Sequence, residues 1–365
     1  MNNEQLQKTP LYNSHLALKA KMVSFGGWDM PVQYEGILAE YDQTRTSVAI
    51  FDISHMGEFI IEGDAIDSGL DRLVTMDIVS MPIQSCRYGA MLNDQGGVLD
   101  DLIVFRLEEE KWFLVVNAAT TVKDAEHLQK HLTSQAKFID VSAQTGKIDV
   151  QGPRSRDVLN GLVEGISRLD YYTFDFFDLL GENVLISRTG YTGELGYEIY
   201  YSWDKIETVW NALLKNDLVK PAGLGARDLL RLEVGYSLYG HELSEQRTPL
   251  ETGLNRFVDF DKDFIGKEVL AQQQTEGVPY KIIGLISETR RAPRSEQLIY
   301  NEAGEHIGEI TSGGFSPYLQ KGIGLGLVKA SVTQKGDQIF FGNDKTKNLA
   351  EVTKKIFYKN GSLKN

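Results

Sequence analysis

GGVLDDLIVF, residues 96–105, decides how this chain is read. Two glycines make a turn, two adjacent carboxylates follow, and the remainder is apolar and β-branched, the composition of a strand. Side chains of a strand alternate between its faces. Asp100 therefore shares a face with Val98, Leu102 and Val104, and Asp101 shares one with Leu99, Ile103 and Phe105. Both sets are apolar, so whichever face is buried takes a carboxylate in with it. An ionised carboxylate away from water is costly unless it is hydrogen-bonded or paired. Near a strand end, such an acid is a candidate general base or cation-stabilising group. The plain alternative is a carboxylate that caps a loop or pairs with an arginine. Alternation alone does not choose between Asp100 and Asp101.

The flanks of this stretch read as a meander. CRYGAML (86–92) is one strand, NDQGG its turn and VLDDLIVFRL (98–107) the second strand. EEEK makes a second turn and WFLVVNA (112–118) the third strand. Upstream, FDISHMGEFIIEG (51–63) reads as a strand, and Ile66, Leu70, Leu73 and Val74 predict an amphipathic helix over 64–75. Downstream, TTVKDAEHLQKHL (120–132) predicts a helix with Val122, Ala125, Leu128 and Leu132 facing in. This succession implies an α+β lobe built on an antiparallel sheet.

Further along, FIDVSAQTGKIDVQGP (138–153) gives two short strands. RTGYTGELGYE (188–198) is glycine-rich but matches neither the dinucleotide nor the P-loop fingerprint. It reads as a tight hairpin that brings Tyr191 and Glu198 to a common rim. PAGLGARDLLRLEVGYSLYG (221–240) opens on glycines and continues as a helix carrying Arg227, Asp228, Arg231 and Glu233. Arg231 is expected to pair internally with the acids of that helix, while Arg227 is left open. His127 and His131 lie four apart, but LQK between them lacks the glutamate of a metalloprotease, and no metal site is expected. A polar, glutamine-rich segment near 270–279 reads as a linker, and beyond it short strands predict an all-β domain.

At 365 residues, the chain has room for two or three domains. Its formal net charge of −13 argues against a non-specific nucleic-acid binder, which needs basic surface. The one cysteine, Cys86, excludes an internal disulfide and a cysteine zinc or iron–sulfur site. No apolar run is long enough for a transmembrane helix, and MNNEQLQKTPLYNSH has no signal-peptide core, so no membrane is expected and a cytoplasmic location is.

Seven motifs occur in order over almost the whole chain: TPLYNSHLALKAKMVSFGGWDMPVQY, FDISHMGE, GGVLDDLIVF, VQGP, SRTGYTGELGYE, PAGLGARDLLRLEVGYSLYG and GEITSGGFSP. The set closely resembles the aminomethyltransferase, or T-protein, family of the glycine cleavage system. The resemblance implies a three-lobed α+β folate-binding fold with antiparallel sheets and a C-terminal β-barrel. Residues 1–270 would form two lobes interleaved in sequence, 271–279 a linker and 280–365 the barrel. It also implies a reaction: the methylene carbon of an aminomethyl group on the lipoyl arm of H-protein passes to tetrahydrofolate, the co-substrate, and ammonia is released.

On that resemblance, the family's aspartate falls on Asp101, with Asp100 as its structural neighbour. The pterin contacts fall on Tyr88, Tyr191 and Glu198. Arg227 is placed to meet the anionic glutamate tail of the folate, and Met56 and Asn117 line the pocket. One departure stands out. Some members carry an arginine in the C-terminal tail, and KKIFYKNGSLKN (354–365) has none. Lys359 and Lys364 remain as substitutes, but a lysine does not reproduce a bidentate contact, so the tail contact is unassigned. Two other readings share parts of the pattern. A folate-linked demethylase-type domain is disfavoured because no dinucleotide-binding domain accompanies these motifs. A non-catalytic folate-binding relative is disfavoured because the only cysteine sits in QSCRYG rather than in a Lys-Gly-Cys motif.

Overall fold

The computed structural model describes residues 6–343 and 346–364, so the first five residues of the N-terminal stretch lie outside it. The meander forms as three adjacent antiparallel strands, Cys86–Leu92, Val98–Glu108 and Lys111–Val116. Gly57–Glu62 pairs with the third of these, and Lys137–Asp140 completes a five-stranded sheet. Phe59, Ile61, Leu102, Val104, Trp112 and Leu114 bury one face of it together with Leu128.

A second sheet has six strands, in the order Phe174–Leu179, Glu182–Ser187, Gly196–Ser202, Thr145–Gln151, Val48–Asp52 and Val219–Pro221. Only Val48–Asp52 precedes the five-stranded sheet in the chain. The chain thus lays down one strand, leaves to build the other sheet and returns, so the two lobes interleave. The last six strands, from Tyr280–Ser287 to Thr346–Thr353, close into a barrel around Leu285, Ile299, Ile310, Val328, Phe341 and Val352. Closure removes the exposed strand edges that an open sheet of this size would present. Helix Leu224–Glu233 seats the barrel on the lobes. Its Leu232 packs with Ile323, Leu325 and Phe357, and its Arg231 donates to Ser312 Oγ (2.7 Å).

The glycine pair that opens the central motif is required on both sides. Gly96 has φ +76°, and a Cβ at Gly97 would lie 1.8 Å from the Glu245 carbonyl oxygen. Leu270 of helix Lys267–Glu276 packs on this same turn. That helix occupies most of the segment read as a linker, because Leu270 gives an otherwise polar stretch something to bury.

Two helical expectations are corrected. Only Leu70–Leu73 is helical within 64–75, and Ile66 is 64% exposed. Asp64 Oδ1 accepts the N–H groups of Ile66 and Asp67, a side-chain turn that competes with helix, and Gly69 is left-handed. Helix Thr121–His131 forms with Leu128 buried and Ala125 and Leu132 packed on the core as expected, but Val122 is 74% exposed and the inner face carries Asp124 in its place.

Candidate active site

At the start of strand Val98–Glu108 the two acids part company. Asp100 is fully buried, on the face of Leu102 and Val104, while Asp101 is half-buried on the other face. Asn117, just beyond strand Lys111–Val116, clasps both. Its backbone N–H donates to Asp100 Oδ2 (2.9 Å), and its Nδ2 donates to Asp100 Oδ1 and Asp101 Oδ1 (2.9 Å each). Tyr88, from the neighbouring strand, donates its hydroxyl to Asp101 Oδ2 (2.8 Å). Asp101 keeps some exposed surface, but dense protein surrounds its carboxyl. Burial and then the charge of Asp100 push it up to about 7, against the pull of Tyr88 and Asn117. Asp124 adds a third buried acid beside Asp100, whose charge acts on it.

The six-stranded sheet presents a different arrangement. Glu198 and Asp149 are register partners on adjacent antiparallel strands, so two carboxylates face each other across one side of the sheet. Like charges in that position repel unless cations intervene. Two do. Lys147 Nζ lies 3.3 Å from Glu198 Oε2, and Arg227 pairs with Asp149. Glu198 Oε2 also accepts from Thr189 Oγ1 (2.9 Å) and the Tyr200 hydroxyl (3.2 Å). Burial alone would raise the Glu198 carboxyl, but Lys147 and Arg227 outweigh it and hold it below its usual range. The glycine spacing of the hairpin has its reason here. Gln151 donates to Asp149, and a Cβ at Gly190 or Gly196 would strike its side-chain amide.

Tyr191 joins the two clusters. Its ring lies 5.0 Å from the Arg227 guanidinium, the charge of Asp101 reaches its hydroxyl, and that hydroxyl donates to the Ser237 carbonyl. A cavity of about 650 Å³ beside Tyr88 is lined by Cys86, Arg87, Tyr172, Arg256 and Phe257 among others. It touches neither Asp101 nor Glu198.

The GCVT N-terminal domain family matches residues 11–262, and the glycine cleavage T-protein C-terminal barrel domain family matches residues 281–359. The chain belongs to the glycine cleavage T-protein family. Proteins named aminomethyltransferase from Pseudothermotoga lettingae and Staphylococcus saprophyticus are 43% and 41% identical to it, over 98% and 97% of this chain and 99% of each relative. The crystal structure of glycine cleavage system aminomethyltransferase T from Bartonella henselae superposes with a TM-score of 0.90 at 30% identity, covering 97% of this chain and 100% of that one. As a member of this family, the chain is an enzyme, a tetrahydrofolate-dependent aminomethyltransferase.

Within this T-protein fold, Tyr88 and Asn117 are each hydrogen-bonded to Asp101, and Tyr191, Arg227 and Glu198 stand around the facing cluster. Met56 is half-buried at its edge, its sulfur 3.7 Å from Lys147 Nζ. Arg227 gives Nη1 to Asp149 and lies over the Tyr191 ring. Arg231 pairs with Asp228 (2.8 Å) but takes Glu242 (2.9 Å) in place of Glu233, which goes to Arg45 (3.0 Å). Lys359 and Lys364 are both exposed. Ser362 of the same tail turns in to Glu194 (2.6 Å). Lys147 and Asp149 were missed by the sequence reading.

Proposed function

We propose that the two clusters divide one methylene transfer between them. In the overall reaction, aminomethyl-lipoyl H-protein and tetrahydrofolate give 5,10-methylenetetrahydrofolate, ammonia and dihydrolipoyl H-protein. Two C–N bonds form to the folate nitrogens, the C–NH2 and C–S bonds break, and the two N–H protons end on ammonia and sulfur.

Asp101 is the group for those protons. A carboxyl poised near neutrality can orient a folate nitrogen, stabilise the positive charge that develops during attack and take up the departing proton. Tyr88 and Asn117 fix its two oxygens, so its direction is set before the co-substrate arrives. Glu198 serves recognition. Held ionised by Lys147 and Arg227, it is a fixed acceptor, and its three bonds from described residues all fall on Oε2. Oε1 is the oxygen left for the amino and ring N–H groups of a pterin. Tyr88 and Tyr191 supply the flat surface such a ring requires. Arg227 braces Asp149 and Tyr191. The soluble lipoyl-bearing H-protein is the partner, in the cytoplasm.

The observation that carries this reading is the hydrogen-bonded Tyr88–Asp101–Asn117 group set against a cation-held Glu198. A coupled assay tests it. The purified chain, mixed with aminomethylated H-protein and tetrahydrofolate, is expected to form methylenetetrahydrofolate and ammonia together. Folate binding without either product would remove the catalytic role of Asp101. Glu198→Gln is expected to weaken folate binding at least about tenfold, the scale of one charged hydrogen bond. Unchanged affinity in calorimetry would take Glu198 out of the pterin site.

A further inference from the structure

Asp124 has no part in the reading above, yet it is fully buried on the inner face of helix Thr121–His131 and touches the site. Its carboxyl lies beside that of Asp100, whose charge acts on it, and no donor in the described residues reaches either of its oxygens. The Thr120 hydroxyl, close to both acids, gives its proton to the Asn117 carbonyl (3.0 Å). Two buried carboxyls in contact cannot both be ionised, so one proton lies between them. Its position follows from the partners. Asp100 accepts two N–H groups of Asn117, which favour its charged form, and Asp124 accepts none.

We propose that Asp124 is a positioning residue: as the neutral acid it donates its proton to Asp100, fixing the carboxylate that clasps Asn117 and sets its charge beside Asp101. This rests on the proposed role of Asp101 and deepens it. The direction of titration agrees, since burial and then the Asp100 charge raise Asp124 to about 10. The other groups facing the pair leave the assignment standing. Asp101 and Asn117 belong to the same clasp. Lys123 is taken up by the Tyr239 hydroxyl (2.8 Å) and Glu245 (2.7 Å).

Two readouts test the proposal on the full chain. In carbon-13 NMR of protein labelled at the aspartate carboxyls, one group is expected to stay protonated to about pH 8, and its signal is expected to be missing from Asp124→Asn. In the pH profile of turnover, Asp124→Asn still donates to Asp100 and is expected to keep the Asp101 limb within about half a unit. Asp124→Leu has no donor. Asp100 then takes the proton itself, its charge disappears, and the limb moves to lower pH by about one unit. The proposal is overturned if every aspartate is ionised by about pH 8, or if Asp124→Asn shifts the limb by more than about a unit, the mark of a removed charge. It is equally overturned if both variants only lower the melting temperature. Should Asp124→Leu not fold, the NMR titration and Asp124→Asn still decide. A wild-type chain without turnover would count against the proposed function, while the NMR result would judge Asp124 by itself.

Discussion

The two halves of the site hold similar acids in different electrical surroundings. Around the central strand, Asp100, Asp101 and Asp124 cluster with no ion pair to any of them among the described residues, and all three are shifted upward. Across the six-stranded sheet, Asp149 and Glu198 also face each other, but Lys147 and Arg227 lie beside them: Glu198 is shifted downward, while Asp149 is still raised, to about 6. Burial acts the same way in both places. At Glu198 the buried cations overcome it and leave a fixed charge, whereas at Asp149 the pairing with Arg227 only limits the rise caused by burial and the Glu198 charge. A transferase that must both move protons and grip a neutral, hydrogen-bonding ring has use for a carboxyl that trades its proton near neutral pH and for one that remains a fixed charge.

The largest expected effect comes from removing the proton-trading member. Asp101→Asn is expected to lower kcat by about 10²–10³-fold, the usual range for a general acid–base group, with folate affinity within a few-fold of wild type. Near-normal turnover would show that the wrong carboxylate has been chosen. The same variant changes stability in a defined window. Asp101 has a folded pKa of about 7, above its unfolded value of about 3.9. The folded state therefore binds more protons between the two. The stabilisation is fully present below about pH 4 and is lost as pH rises through about 7. Asp101→Asn is expected to flatten that slope in urea titrations. An unaltered slope would mean that Asp101 titrates normally.

How much of this contrast was legible in the sequence depends on how local its cause is. The central strand was legible because alternation within ten residues placed a carboxylate on each apolar face, and the structure buries one fully and the other in part. The helix over 64–75 misled because apolar spacing carries no trace of the Asp64 side-chain turn or of the left-handed Gly69. Lys147 and Asp149 went unread because their meaning lies in the pairing of Thr145–Gln151 with Gly196–Ser202, nearly fifty residues away. A signal was nevertheless present. In KIDVQ, Lys147, Asp149 and Gln151 alternate with Ile148 and Val150, which marks one polar face on a strand whose other face is core.

The comparison is sharpened by turning the second cluster into the first. Lys147→Met removes a buried cation and leaves Glu198 and Asp149 with Arg227 alone. Stranding a buried charge in this way typically costs about 3–5 kcal/mol, read here as a lower denaturation midpoint. Glu198 is also expected to escape the charge by binding a proton, so folate affinity at neutral pH falls and recovers as pH is raised. Affinity that is weakened equally at every pH would show that Lys147 contributes packing alone, and the electrical contrast between the clusters would lose its cause.

The smallest expected effect probes the finest feature, the bond from the Tyr88 hydroxyl to Asp101 Oδ2 (2.8 Å). That bond favours the ionised carboxyl and so opposes the burial and the Asp100 charge that raise it. Tyr88→Phe keeps the ring, and with it the edge contact to Phe257 at 4.7 Å, and deletes only the donor. A hydrogen bond to a charged group is worth about 1.5–3 kcal/mol, but Asn117 still holds the other oxygen and shares the load. The expected shift is therefore modest: the Asp101 limb of the pH–rate profile moves to higher pH by about half to one unit, and the rate on the alkaline plateau falls only a few-fold. The sign is the informative part. Losing a donor to Asp101 itself moves the limb up, whereas losing the donor to its neighbour Asp100 moves it down. A limb that does not move in Tyr88→Phe would mean that the hydroxyl does not favour the ionised form, and the upward shift of Asp101 would then rest on burial and Asp100 with nothing to restrain it but Asn117.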